Sequence, residues 1–442
     1  MRKFAKYFYL AVMVINYTFM FTFAAAAGGV SFRLIGVLSL LGLALYCYVN
    51  RSSALMFLLS GKVKVFMFLY TALPIFLVVV SPVFPLSFLG YQVLSFLLVV
   101  ATAVFVREEG VRELGKWILL CWFISVVGIL ISYFFPGVFK AVAQMQEEAK
   151  QVATQFRETK ISSTASGRAF GFFMQPNRAA FGIVVTVVLL ALTYFRDKVV
   201  MRYAFLTMSF ATILLTGSRG GMLQIVVFFG LLFLNEIVSG VIFQGRKQSF
   251  ASVVPIIAVF GAIMILCGVG VYYLTSDGSV NGSMLDRALN VVMGRETLAT
   301  DGSVQARLYA QEVYLGQILD SPLWGHGLAA SVIYNQAGLL PLSSHNSFIE
   351  YAFDHGIPAT VALFIVFVVM ALDRNAKKLR GLVHYNFSLI FVCVVFVATL
   401  VLGGVFYARF FSVALGMWLS LQYAPSPRML ADFGMQMPRQ HY

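Results

Sequence analysis

Apolar runs of about twenty residues, the length that crosses a hydrocarbon core, follow one another along almost this whole chain. Twelve are discernible, near residues 7–24, 33–49, 63–81, 88–106, 117–136, 179–195, 201–216, 221–238, 253–274, 358–373, 385–402 and 405–421. Of the 442 residues 60% are hydrophobic and 11% charged, whereas a soluble domain carries about a quarter charged residues. Too few polar groups remain to cover a water-facing surface. The sequence therefore specifies an all-α polytopic membrane protein, because each span in lipid must satisfy its own backbone hydrogen bonds and a helix does so. The first run follows Met1-Arg2-Lys3-Phe4-Ala5-Lys6 with no cleavage pattern and reads as a retained first span. Cys47, Cys121, Cys267 and Cys393 all fall inside apolar runs, where a thiol behaves as a small hydrophobe. Neither a disulfide nor a metal site is expected.

The formal charge of +14 raises the possibility of a nucleic-acid partner, but the basic residues punctuate the runs instead of forming one patch, so none is expected. With the N-terminus inside, alternate loops hold Arg51/Lys62/Lys64, Arg107/Arg112/Lys116, Arg196/Lys198/Arg202, Arg246/Lys247 and Arg374/Lys377/Lys378/Arg380. Counting both termini, twenty of the 32 basic residues lie inside, as the positive-inside rule requires for an even number of spans. The other twelve stand against the bias. Apart from Arg33, they sit at residues 137–178, at Arg219, at residues 275–357 and at Arg409.

Loops longer than about fifteen residues are uncommon unless functional or disordered, so the two long outer segments are where function should concentrate. In the first, Val138, Val142, Met145, Ala149, Val152 and Phe156 mark one apolar helical stripe; a mere amphipathic spacer is the alternative. The second opens with turn residues at 276–282, continues as a helical pattern over Gln305–Leu319 and breaks at Ser321-Pro322 and Trp324-Gly325-His326-Gly327. A second helix follows in Ser344-His345-Asn346-Ser347-Phe348-Ile349-Glu350-Tyr351-Ala352-Phe353-Asp354-His355, with Ser344 or Asn346 as cap. Together these segments predict a small helical cap. The organisation expected is spans 1–5 over 1–136, an amphipathic segment over 137–178, spans 6–9 over 179–274, a large outer loop over 275–357, and spans 10–12 with a tail over 358–442.

Within this frame His345 is the strongest chemical candidate, since imidazole can accept a proton near neutral pH, and a helix start disfavours its cationic form. A capping histidine is the bland reading. His355, ten residues on, lies about 80° away around a helix and cannot share a ligand with it. The turn Leu215-Thr216-Gly217-Ser218-Arg219-Gly220-Gly221 offers glycines, free helix N–H groups and a guanidinium for an anion; the alternative is an arginine anchoring at lipid headgroups. Arg307 opens the next helical pattern and Arg287 and Arg295 precede it; any one of them alone reads as a surface charge, while together they point to an acidic ligand. Pro176 and Asn177 form a turn whose amide can contact a polar group, with Arg178 beside it; a purely structural turn is the alternative.

Four stretches in this order, GFFMQPNRAAF, LLTGSRGG, ARLYAQEVYLGQILDSPLWGHG and HNSFIEYAFDHGIPAT, resemble the O-antigen ligase/Wzy superfamily of bacterial envelope glycosyltransferases over about residues 165–375. The most specific is His345-Asn346, nine residues, then Gly356-x-x-Ala359-Thr360. The resemblance implies a GT-C-like fold of about twelve spans in the bacterial inner membrane. It also implies transfer of a glycan from undecaprenyl diphosphate to an acceptor hydroxyl at the periplasmic face, with neither cofactor nor metal. In that scheme His345 takes the acceptor's proton and Arg219 and Arg307 stabilise the leaving diphosphate, while Asn346, Asn177, Arg178, Arg287 and Arg295 bind substrate. Lipid A-core oligosaccharide is the expected acceptor; a chain polymerase and a protein O-glycosyltransferase share the motifs. A secondary transporter is the competing class, but it should carry mid-span charges and half-to-half symmetry, neither of which is evident.

Overall fold

A computed structural model describes residues 1–18, 30–80, 86–135, 169–173, 175–196, 198–243, 302–340, 343–372 and 383–423. The stripe expected over Val138–Phe156, the run at 253–274, and Arg287 and Arg295 lie outside these residues. Among the described residues every regular element is a helix. In chain order these are α1 (Arg2–Thr18), α2 (Val30–Val49), α3 (Arg51–Leu59), α4 (Gly61–Val79), α5 (Leu86–Glu109), α6 (Val111–Phe134), α7 (Pro176–Leu192), α8 (Val199–Thr216), α9 (Arg219–Phe243), α10 (Gly302–Ile318), α11 (Ala330–Gln336), α12 (Ser347–His355), α13 (Ile357–Ala371), α14 (Val383–Val401) and α15 (Arg409–Tyr423).

Segments of α4, α5 and α6 are long and apolar enough to cross a membrane, and apolar stretches of ten to seventeen residues fall in α2, α7, α8, α9, α13, α14 and α15. Their outward faces are greasy: Phe123, Met208, Val226, Leu234 and Ile365 are each more than half exposed, a surface suited to lipid and unsuited to water. The short α3 was not expected from the sequence; its nine residues are too few to register as a run, and packing on α5 supports them.

Helix α7 is the central post. It contacts α6, α8, α9, α14 and α15, and every residue from Ala179 to Leu192 is buried, as a helix apolar on all sides should be. Thr186 bonds the carbonyl of Gly182 at 2.7 Å and meets Tyr17 Oη at 2.7 Å. The post therefore fixes whatever its first turn carries.

Helix α4 is interrupted by a π turn at Phe68–Ala72, just ahead of Pro74. Pro74 has no N–H for the carbonyl of Tyr70 four residues earlier, and Gln92 Nε2 donates to that oxygen instead at 2.6 Å. The neighbouring carbonyl of Leu69 accepts from Tyr351 Oη at 2.6 Å. A break that would be costly in lipid is thus satisfied by side chains, one of which anchors α12.

Helices α10, α11 and α12 form the cap, with a core of their own in Tyr314, Ile318, Ala330, Leu340 and Phe353. His326 stacks on Phe353 with ring centroids 4.4 Å apart and bonds the Gln317 carbonyl through Nε2 at 3.0 Å. It is a structural histidine.

Candidate active site

The turn Thr216–Gly221 is tied to the site through Asn177. Gly217 takes the left-handed conformation (φ 59°) that ends α8. Ser218 Oγ accepts the N–H of Gly221 at 3.1 Å, capping α9, and bonds Asn177 Oδ1 at 3.0 Å. A side chain on Gly221 would collide with Ala180 of α7. Two of the glycines that the sequence offered to a ligand therefore serve the backbone turn and the crossing of α9 over α7. Arg219, partly exposed, opens α9 next to Ser218 but does not line the cavity described below.

A cavity of about 270 Å³ is bordered by Asn177 and Arg178 from α7, Tyr314 from α10, His345, Glu350 from α12, and the loop Leu402–Val405. The structure thus brings together three residues singled out in the sequence, Asn177, Arg178 and His345, from positions far apart in the chain. Arg307 acts on His345 through its charge, and Gln311, one turn further along α10, donates to the carbonyl of Ser344 at 3.2 Å. Asn346 plays a different part. Its Oδ1 accepts the N–H groups of Phe348 (3.0 Å) and Ile349 (3.2 Å), and it borders a separate groove with Glu312, Leu315 and Phe348. Of the two caps considered for α12, Asn346 is the one used, which places His345 one residue outside the helix in a left-handed conformation (φ 52°).

His355, at the other end of α12, is buried with its ring edge-on to Tyr351, centroids 4.4 Å apart. It does not reach the cavity. Arg409 is occupied elsewhere, donating to Asn16 Oδ1 at 3.0 Å and lying over the Tyr91 ring at 4.8 Å.

Glu350 is not singled out by any sequence motif. It is 7% exposed, and its carboxylate accepts from Ser343 Oγ at 2.5 Å and from the Gly404 N–H at 2.7 Å. The signal that could have found it is an acid five residues after His345 in a chain with only 18 acids, since a buried carboxylate needs partners that a structural helix rarely supplies. Gly403 and Gly404 leave no such signal, because two glycines between apolar runs read as an ordinary turn.

Electrostatics set the state of each group. Burial above all, reinforced by the charge of Arg307, lowers the His345 pKa from the usual 6.5 to about 4, so the imidazole is neutral at neutral pH. Burial raises the Glu350 carboxyl, while the bonds from Ser343 and Gly404 and the charge of Arg178 pull it back. Burial also raises the Tyr314 hydroxyl, keeping it a neutral donor. Beside the engaged Glu350 carboxylate, the cavity therefore presents a neutral base and the Arg178 guanidinium, with the charge of Arg307 felt at His345, which suits proton removal from a hydroxyl beside an anionic leaving group. A folded pKa below the unfolded value means that stability from neutral His345 is full above pH 6.5 and is lost as pH falls towards 4. The acid limb of kcat/KM, which reports the free enzyme, should accordingly lie well below pH 6.5. Arg307→Ala should move it upward by removing the charge that opposes protonation. A limb at pH 6.5 in both proteins would refute this electrostatic account.

Residues 203–364 match the O-antigen ligase family. The chain carries an O-antigen ligase domain. The match falls within the stretch that resembles the O-antigen ligase/Wzy superfamily and supports that resemblance; members of the matched family are glycosyltransferase-like O-antigen ligases or polymerases. The ligase domain contains His345, Glu350, Tyr314, Arg219 and Arg307, while Asn177, Arg178 and Leu402–Val405 complete the cavity from outside its limits. The comparison with curated proteins finds no match.

Proposed function

We propose that this enzyme transfers an O-antigen glycan from undecaprenyl diphosphate to a hydroxyl of lipid A-core oligosaccharide at the periplasmic face of the inner membrane. The observation that carries the reading is the convergence of neutral His345 with Arg178 in one cavity at the end of the bundle, under the charge of Arg307. In the reaction His345 removes the proton of the acceptor hydroxyl as its oxygen attacks the anomeric carbon. The bond from that carbon to the diphosphate breaks in line, inverting the centre, and the departing diphosphate is met by Arg307 with Arg178 at the cavity wall, while Arg219, outside this cavity, is assigned to the diphosphate through the family resemblance. Asn177 and the Tyr314 hydroxyl are the polar groups suited to orienting the sugar; Arg287 and Arg295 are assigned to the donor through the family resemblance. Arginines replace a divalent cation in this scheme, and the sequence has no Asp-x-Asp pair to hold one.

The test is transfer by the purified protein in lipid nanodiscs, supplied with a polyprenyl diphosphate-linked glycan and, in separate reactions, lipid A-core or a second lipid-linked glycan. Product on lipid A-core that persists in excess EDTA is expected. Elongated lipid-linked glycan alone would make the protein a polymerase. Activity abolished by EDTA and restored by Mg²⁺ would overturn the arginine scheme.

A further inference from the structure

The turn carrying His345 poses a mechanical problem, because a non-glycine residue at φ 52° sits in a conformation that must be imposed by its surroundings. The local bonds run to one group. His345 N–H donates to Ser343 Oγ at 3.3 Å, and the same hydroxyl donates to Glu350 Oε1 at 2.5 Å. The other oxygen of Glu350 accepts from Gly404 at 2.7 Å. One turn earlier on α12, Ser347 Oγ donates to the Leu402 carbonyl at 2.6 Å and accepts from the Val405 N–H at 3.0 Å. Helix α12 therefore grips two loops at once, the one that bears His345 and the one between α14 and α15. Gly403 makes the grip possible, since a methyl group there would overlap both Ser343 Oγ and Glu350 Oε1. Arg178 completes the arrangement: it borders the same cavity, its charge acts on Glu350, and its Nη2 lies 4.0 Å from where a side chain on Gly404 would begin.

We propose that Glu350 is a positioning residue of the active site, its carboxylate tying Ser343 to Gly404 so that the turn holds His345 in place, and its charge retaining Arg178 at the cavity wall. The proposal rests on the glycosyl-transfer reading for its kinetic consequences, though not for its structural ones. Both carboxylate oxygens are engaged by donors, which leaves Glu350 to hold other groups and not to take the acceptor's proton.

Two substitutions separate bracing from charge. Glu350→Ala removes both bonds. Glu350→Gln keeps the shape, since its carbonyl can still accept from Gly404 and its amide can donate to Ser343 Oγ. For the full-length protein in nanodiscs, hydrogen–deuterium exchange of the peptide covering 343–350 should rise in Glu350→Ala and stay near wild type in Glu350→Gln, with peptides of α7 unchanged in both. Transfer should show kcat lowered at least about tenfold in Glu350→Ala, a misplacement effect, with donor KM within about threefold; Glu350→Gln should recover part of kcat. Gly403→Ala should reproduce the Glu350→Ala pattern without touching the acid. Wild-type exchange and kcat in Glu350→Ala would overturn the proposal. So would Glu350→Gln as inactive as Glu350→Ala with undisturbed exchange, because the acid would then act chemically. Absence of transfer by the wild-type protein would count against the glycosyl-transfer reading alone, and the exchange measurement would still decide the brace.

Discussion

His345→Ala should lower glycan transfer by about 10²–10⁴-fold, the range that a positioned general base contributes, while the protein inserts normally and binds its lipid-linked donor with little change. The donor's diphosphate is assigned to guanidinium groups, so loss of the imidazole removes proton transfer and not charge complementarity. His345 also lies outside α12 and contributes no cap, since Asn346 supplies the bonds to Phe348 and Ile349; the helix therefore survives the substitution. The informative control is His355→Ala. His355 is buried against Tyr351 and neither ring nitrogen has a hydrogen-bond partner among the described residues, and burial lowers its pKa to about 3. Its loss leaves a packing defect near the base of the cap, which should lower the melting temperature and leave transfer largely intact. Near wild-type transfer by His345→Ala, or a deader His355→Ala, would show that the base has been misassigned.

Gly356→Ala should be the most damaging single methyl that can be added to the cap. Gly356 has φ 84° and ψ 163°, a region essentially restricted to glycine and costing other residues about 1–3 kcal/mol. Steric overlap adds to this: the new methyl would strike the Leu323 carbonyl and lie 2.9 Å from the Trp324 nitrogen. The crossing is reciprocal, because Gly325, at φ 69°, packs its own backbone on Asp354 and His355. Hydrogen bonds lock it: His326 N–H to the Phe353 carbonyl at 2.8 Å, Gly327 N–H to that of Asp354 at 2.9 Å, and Ile357 N–H to that of Pro322 at 2.8 Å. Asp354 in turn accepts from Ser331 N–H at 2.7 Å and Ser331 Oγ at 3.1 Å, drawing α11 into the same joint. A loss above about 3 kcal/mol is expected, in the range reserved for broken backbone geometry. Thermal unfolding together with limited proteolysis between residues 319 and 330 checks it; an unchanged melt and an uncleaved loop would refute the joint.

Local chemistry accounts for what could be read in the sequence. The spacing of apolar runs placed the described helices that cross the bundle, because helix length and side-chain polarity are properties of contiguous residues. Asn346 was legible as a cap, and the His-Asn, Gly-Ser-Arg and Arg307 stretches pointed to the superfamily, since each is a short run of residues whose types carry the signal. The Thr216–Gly221 turn marks the limit of such reading: its glycines suggested room for a ligand, and two of them proved to serve the left-handed end of α8 and the crossing at Ala180. Which helix would stand at the centre was not decided by hydropathy, because a span facing lipid and a span facing protein are both apolar; α7 is central through its packing on five neighbours.

The sequence by itself determined that this chain is a helical membrane protein, where its polar exceptions lie and which superfamily domain they mark. Only the tertiary structure decided that Arg178 at the head of α7, His345 before α12, Glu350 within it and Gly403-Gly404 before α15 border one cavity, and that Asn346 turns away from it. The reason is physical: a carboxylate buried by distant segments, and an imidazole kept neutral by burial and a neighbouring guanidinium, owe their states to atoms many residues away, which no local pattern of residue types records.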